Sequence, residues 1–280
     1  MWVPRCRLRR VLLKEGLLEC VAEGVMGRAL KPDGWGRTER GGGGNRTLMF
    51  IGTSLQRESY YELVRMLGYT HVINVHDKAR GFLVYRVPLA AGASLALVFQ
   101  WLEVTRGGGV NWPDATSSVR EYHDFAQNVR ASIVANRLGR GDVVVVMTAP
   151  YDIVHRPLAA AEEGADVVAR GLASMQADTA GPLVVFRNSD AIHLPWLSYG
   201  RAMRTPQDGM TTPRSEQVSR WFARAMAAHR VPVLETFAMT AVRGDQSRDG
   251  IHYRTTRDLA TNSVPRTVLQ VLLQALCASA

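Results

Sequence analysis

Apolar residues fall along this chain in two alternating patterns. Short unbroken runs, at 48–51, 95–99, 143–147, 183–186 and 231–234, are separated by longer stretches whose apolar positions recur every three or four residues. Unbroken aliphatic and β-branched runs of this length suit strands buried on both faces, as in a parallel sheet covered by helices. Between them, Val119, Tyr122, Ala126, Val129 and Ile133 mark the apolar stripe of one helix. Comparable stripes run through 61–67, 167–175, 218–227 and 264–276. The alternation predicts an α/β fold, a single doubly wound and mostly parallel sheet flanked by helices in a flavodoxin-like, three-layer arrangement. No apolar run reaches the roughly 20 residues that a membrane-spanning helix needs.

The pattern starts only at Leu48, which divides the chain into a segment 1–47 and a domain 48–280. The first segment is basic and runs out through Gly41–Gly44, a composition that favours a flexible lead-in. Its cluster Arg5, Arg7, Arg9 and Arg10 is followed by three apolar residues before Lys14 and Glu15 interrupt, short of the roughly 7–15 that a secretory signal requires. The whole chain carries 34 basic and 25 acidic residues, a net +9 that invites a nucleic-acid partner. Ten of the basic and five of the acidic residues lie in 1–47, however, which leaves 24 against 20 for the domain. A nearly balanced domain gives no reason to expect a nucleic-acid partner. Cys6, Cys20 and Cys277 are an odd count without metal-ligand spacing, so no metal is expected, and one bridge or three free thiols both remain open.

In a doubly wound sheet, reactive side chains sit where a strand's carboxyl end turns into a helix. The first strand runs into Gly52-Thr53-Ser54 and then into a helical stripe. Gly52 permits a tight turn, and Ser54 lies at a helix N-terminus, whose free N–H groups stabilise negative charge. A serine there is a candidate nucleophile, against the simpler role of a helix cap. Near the other end stands Asp249-Gly250-Ile251-His252. An aspartate three residues before a histidine can hold one imidazole nitrogen and leave the other free as a general base. The two motifs, at opposite ends of one α/β domain, give a candidate triad of Ser54, His252 and Asp249.

Phe50 to Arg57, running on through Tyr61-Glu62-Leu63-Val64-Arg65-Met66-Leu67, resembles the Gly-Asp-Ser-x-x-Arg block of the PC-esterase branch of the SGNH (GDSL-like) hydrolases. That branch includes the trichome-birefringence-like polysaccharide O-acetyltransferases and the sialate O-acetyltransferase. Asp249 to His252 resembles its Asp-x-x-His block, and Val98-Phe99-Gln100-Trp101 and Val184-Val185-Phe186-Arg187 resemble its core strands in the same order. The resemblance spans roughly 48–277 and implies an SGNH-type fold and an O-acetyltransferase or acetyl esterase acting on carbohydrate. It implies a glycan acceptor, no bound cofactor, acetyl-CoA or an acetyl ester as acyl donor, and a place in the secretory pathway or Golgi lumen. Gly52, Arg57, Thr148 and Gly108 then become candidates for the oxyanion or substrate site, Arg57 matching the family's arginine. Two positions depart from the family: Thr53 replaces the aspartate of Gly-Asp-Ser, and Thr148-Ala149-Pro150 follows the middle strand where many relatives carry an oxyanion asparagine or glycine. These departures keep a second expectation open, a relative that binds glycan without turning it over. Asp152 with His155 is a second Asp-x-x-His, read as a loop pair. His193, Trp196 and Tyr199 are read as a sugar-stacking surface or a loop cover, and His123 with Asp124 as carrying no chemistry.

Overall fold

The computed structural model describes residues 45–69, 81–89, 93–104, 119–148, 158–193, 211–253 and 263–277. Six strands form one sheet: β1 (Arg46–Gly52), β2 (Phe82–Pro88), β3 (Ser94–Trp101), β4 (Val143–Val146), β5 (Leu183–Arg187) and β6 (Val233–Leu234). The helices are α1 (Ser54–Met66), α2 (Arg120–Ala135), α3 (Leu158–Gln176), α4 (Thr212–Ala228), α5 (Phe237–Ala241) and α6 (Val264–Cys277). Strand order is β2-β3-β1-β4-β5-β6, and every neighbouring pair is parallel except β2 with β3. The fold is thus a mixed, mostly parallel α/β sheet flanked by helices, as the run-and-stripe pattern predicts.

The unbroken runs are buried on both faces for a visible reason. Along β1, Met49 and Ile51 pack into the layer that holds α2, α3 and α4, while Leu48 and Phe50 pack into the layer of α1 and α6. The four valines of β4 divide in the same way, Val144 and Val146 to one layer, Val143 and Val145 to the other. The expected stripe of α2 is realised with Tyr122, Phe125, Ala126, Val129 and Ile133 buried. In α6 the buried face comprises Val268, Leu269, Leu272, Leu273 and Leu276. Cys277 ends that helix and is disulfide-bonded; Cys6 and Cys20 lie outside the described residues.

Four differences from the sequence reading have local causes. β2 is absent from the runs expected as strands although Phe82-Leu83-Val84-Tyr85 is itself a short apolar run; it is an edge strand, paired with β3 on one side. Its buried positions include Leu83 and Val87, whereas Phe82, Val84, Arg86 and Pro88 face outward. α1 begins at Ser54, about two turns before the expected stripe at 61–67, since those turns bury polar Gln56 and Ser59 beside Leu55 and Tyr60. β1 takes in Arg46 and Thr47, which pair with Leu95 and Ala96 ahead of the expected start at Leu48. Of the run 231–234 only Val233 and Leu234 pair in the sheet. Among the described residues no helix is long and apolar enough to cross a membrane.

The layer of α2, α3 and α4 is packed tightly enough to test. A Cβ added at Gly164 of α3 would lie 2.2 Å from the ring of fully buried Tyr122, and one at Gly171 would lie 2.7 Å from the Ala126 Cβ. Glycine to alanine inside an exposed helix ordinarily gains up to ~1 kcal/mol. Here the sign reverses: Gly164→Ala is expected to lose about 1–3 kcal/mol through overpacking, measured by urea denaturation.

Candidate active site

β1 lies between β3 and β4, at the point where the order of the parallel strands reverses, so a crevice opens at its carboxyl end. Gly52 closes the strand there. A Cβ on it would sit 2.9 Å from both the Met147 carbonyl oxygen and the Gln56 Cγ, so the turn packs against the end of β4 only without a side chain. Thr53 follows, fully buried and extended, at the N-cap of α1, but its side chain makes no capping hydrogen bond. Ser54 is the first helical residue, and its hydroxyl does not cap the helix. Its Oγ lies 2.7 Å from His252 Nε2. The N–H groups of this first turn have no partner one turn back in the helix, which makes the same spot favourable for negative charge.

His252 arrives on a loop that is built to present it. Ser247 bridges to Tyr253, the Arg248 N–H donates to the His252 carbonyl at 2.7 Å, and the Gly250 N–H donates to Ser247 Oγ at 2.9 Å. Gly250 turns the chain with φ +85°, a conformation that disfavours any other residue. Within the turn Asp249 Oδ1 accepts the backbone N–H groups of His252, at 2.8 Å, and Ile251, at 3.2 Å. The same carboxylate faces His252 Nδ1 at 2.9 and 3.1 Å. With Nδ1–H donating to Asp249, Nε2 is left as the acceptor for the Ser54 hydroxyl. Burial works to raise the Asp249 carboxyl, but the hydrogen bonds from the His252 ring and backbone outweigh it and hold the group well below the usual carboxylate range. Asp249 therefore stays ionised behind the imidazole through the neutral pH range.

Two buried clusters brace these parts. The backbone N–H of His193 donates to the Gly250 carbonyl at 2.8 Å, and its Nε2 lies 2.9 Å from Tyr253 Oη and 3.1 Å from the Thr240 carbonyl. The ring stands edge-on to Tyr253, and burial, reinforced by the Asp190 charge, pushes the Tyr253 hydroxyl far above its ordinary range, so it remains a neutral donor. On the other side, the Arg187 guanidinium at the end of β5 reaches under the first turn of α1. It donates to Ser59 Oγ at 2.6 Å and Gln56 Oε1 at 3.0 Å, approaches the Leu55 carbonyl at 3.4 Å, and pairs with Asp190 at 2.7 Å. Gln56 passes the tie on to the Val145 carbonyl at 2.9 Å.

The remaining residues singled out in the sequence divide three ways. Arg57 lies over the Trp101 ring, 5.2 Å from its centroid, and so is stacked on the end of β3. Thr148 is buried two residues past Val146, the residue that pairs with Ile51. Gly108, the Asp152–His155 pair, Trp196 and Tyr199 lie outside the described residues. His193 is an internal brace, with the loop-cover reading closer than the sugar-stacking one. Sequence reasoning passed over Gln56, Ser59, Arg187 and Asp190. The one signal available was a charged residue closing an apolar strand run, with an acid three residues on.

No protein-family model matches the chain, and neither does any curated protein sequence. Solved structures do resemble it. A lipase/acylhydrolase from Enterococcus faecalis is 11% identical, with 81% of this chain and 93% of that chain covered and a TM-score of 0.45. A member of the lipolytic G-D-S-L family from Veillonella parvula is 13% identical, covering 82% and 96%, with a TM-score of 0.44. Est24, a carbohydrate acetylesterase from Sinorhizobium meliloti, is 16% identical, covering 83% and 97%, with a TM-score of 0.41. Likeness of this order leaves the chemistry to be argued from this chain's own residues.

The Arg187–Asp190 pair is only 3% exposed on either side, so removing one partner strands a buried charge. Arg187→Leu is expected to lose about 3–5 kcal/mol, and the double replacement Arg187→Leu/Asp190→Leu appreciably less. Urea denaturation of the two variants and the wild type checks the order.

Proposed function

We propose that this protein is a serine-dependent acyl-transfer enzyme, an O-acetyltransferase or acetyl esterase of SGNH type acting on carbohydrate hydroxyls. The observation that carries the reading is the row of short contacts from Ser54 Oγ to His252 Nε2 to Asp249, at the carboxyl edge of a parallel sheet and the start of a helix. A hydroxyl capping its helix would have no need of that row, nor would a histidine held for packing alone.

Ser54 Oγ attacks the acyl carbonyl carbon while His252 Nε2 takes its proton, and Asp249 supports the imidazolium that forms. The carbonyl π electrons move to oxygen, which meets the N–H groups at the start of α1. Gly52, Thr148 and Gly108 are the further candidates to donate there. Collapse of the intermediate expels the alkoxide or thiolate, which recovers the proton from His252 and leaves an acyl-Ser54 ester. Water as second acceptor gives hydrolysis, and a sugar hydroxyl gives transfer. Arg57, which stacks on Trp101, is the candidate to bind a carbonyl or carboxylate of the incoming group. No step calls for a metal or a bound cofactor; the donor is an acetyl ester or acetyl-CoA. The resemblance to the PC-esterase branch supports the carbohydrate acceptor and the secretory setting. With threonine at position 53, the helix start and the Ser54–His252 contact are still formed, which supports the catalytic reading over a relative that only binds.

Hydrolysis of 4-nitrophenyl acetate by wild type and three variants tests the reading. Ser54→Ala and His252→Ala are expected to lose about 10⁴-fold or more in kcat/KM, and Asp249→Asn about 10²–10⁴-fold. An acetyl adduct should appear on the peptide containing Ser54 and be absent from Ser54→Ala. Equal rates for all four proteins would overturn the triad, and oligosaccharide binding without hydrolysis would mark a relative that has kept the fold and lost turnover.

A further inference from the structure

The acyl-transfer chemistry leaves one ionic contact beside the site unused. Glu58 lies on α1 four residues after Ser54, hence about one helical turn along on the same side. Its carboxylate is mostly buried, with 15% of the side chain exposed, and lies 3.2 Å from the guanidinium of Arg248. Arg248 is itself over half exposed and immediately precedes Asp249. Its backbone N–H donates to the His252 carbonyl, so Arg248, Asp249 and His252 belong to one tightly bonded loop. The pair therefore joins the helix carrying Ser54 to the loop carrying the imidazole. Burying a carboxylate for the sake of a largely exposed arginine gains little stability, and a neutral side chain would serve the fold better.

We propose that Glu58 and Arg248 are positioning residues, an ionic latch that fastens the Asp249–His252 loop to the nucleophile helix. The proposal rests on the acyl-transfer reading for its catalytic readout and on the loop's own dynamics for a readout that does not depend on it. The groups facing Glu58 are Arg248, Asp249 and His252 from the loop and Asp190 from beyond β5. Burial pushes its carboxyl up to about 7; the His252 and Arg248 charges pull against that, and Asp249 and Asp190 add to it. Above that pH the carboxylate is charged and the latch is closed. Below it, Glu58 takes a proton, the attraction to Arg248 is lost and the loop loosens.

Global stability runs the other way. A carboxyl raised in the folded state stabilises the fold fully below the ordinary value of 4.5, and that contribution is lost as pH rises through about 7. The closed latch thus belongs to the pH range in which Glu58 makes the fold less stable, a signature that simple packing would not produce.

The experiment compares wild type, Glu58→Gln, Arg248→Ala and Arg248→Lys from pH 5 to 9. It uses hydrogen exchange over 247–253, thermal melting and 4-nitrophenyl acetate hydrolysis, with Ser54→Ala as the control for the acyl-transfer reading. In the wild type, exchange protection of the loop should rise through pH 7; in Glu58→Gln it should be flat and low. Arg248→Ala should be flat and low like Glu58→Gln, because it removes the other half of the pair, and Arg248→Lys should restore most of the wild-type profile. Glu58→Gln should melt higher than wild type at pH 8, with the difference closing toward pH 4.5. At pH 8, kcat/KM should fall about 2- to 5-fold in Glu58→Gln, the scale of a partly exposed ion pair. Loop protection that is independent of pH in the wild type, or unchanged in Glu58→Gln, overturns the latch whether or not Ser54 proves to be the nucleophile. Activity unaffected by Ser54→Ala overturns the nucleophile and leaves the exchange profiles to decide the latch.

Discussion

Strands buried on both faces leave a parallel sheet with only its ends for chemistry. β1 is such a strand, with helices on either side and parallel neighbours at both edges. Its carboxyl end is where the Gly52 turn passes close to the end of β4 and sets Ser54 at the head of α1. His252 comes from 198 residues away and meets Ser54 at 2.7 Å. That meeting requires both helical layers to be in place, because Tyr253, next to His252, packs in the layer of α1 and α6, while Ile251 packs in the other. The loop is pinned from both sides of the sheet.

Charge inside this arrangement is used in two different ways. Arg187 and Asp190 form a fully buried pair whose hydrogen bonds go to the side chains and a carbonyl of the first turn of α1, so the cost of burying the charge is offset by a rigid base under Ser54. Asp249 is a partly exposed carboxylate kept ionised by three donors from its own loop, which outweigh the burial that opposes its charge and give the imidazole its orientation. Glu58 belongs to neither kind: it is mostly buried, has a cation on one side and two carboxylates nearby, and burial raises its carboxyl to about 7. The site therefore has one carboxylate that holds its charge throughout the neutral range and one whose charge changes within it.

Much of the scaffold was legible as period. The runs that became β1, β3, β4 and β5 and the stripes that became α2 and α6 were visible because burial on two faces and burial on one face write different repeats into a sequence. β2 was harder to read, since Phe82 to Tyr85 is an apolar run without alternation although its positions are buried only by turns, and Pro88 ends it. The start of α1 was harder to see for a different reason: its inward positions include Gln56 and Ser59 beside Leu55, and the two polar ones receive a guanidinium from β5. The motifs at Ser54 and at Asp249–His252 could be found because each is local, a turn into a helix and a three-residue spacing. Arg187 and Glu58 could not, because the partners that give them meaning stand far away in the chain: Arg187 lies 131 residues from Gln56 and Arg248 lies 190 from Glu58.

The sequence by itself determined the α/β architecture, the position of a serine at a strand-to-helix turn and an aspartate able to orient a histidine, because each follows from contacts between residues close in the chain. Tertiary structure alone decided that the serine hydroxyl faces the imidazole and does not cap its helix. It also decided that His193 braces a loop and that a buried arginine and a nearly buried glutamate flank the nucleophile. Those outcomes depend on which side chains share a desolvated space, and desolvation is a property of the packed layers that no local repeat records.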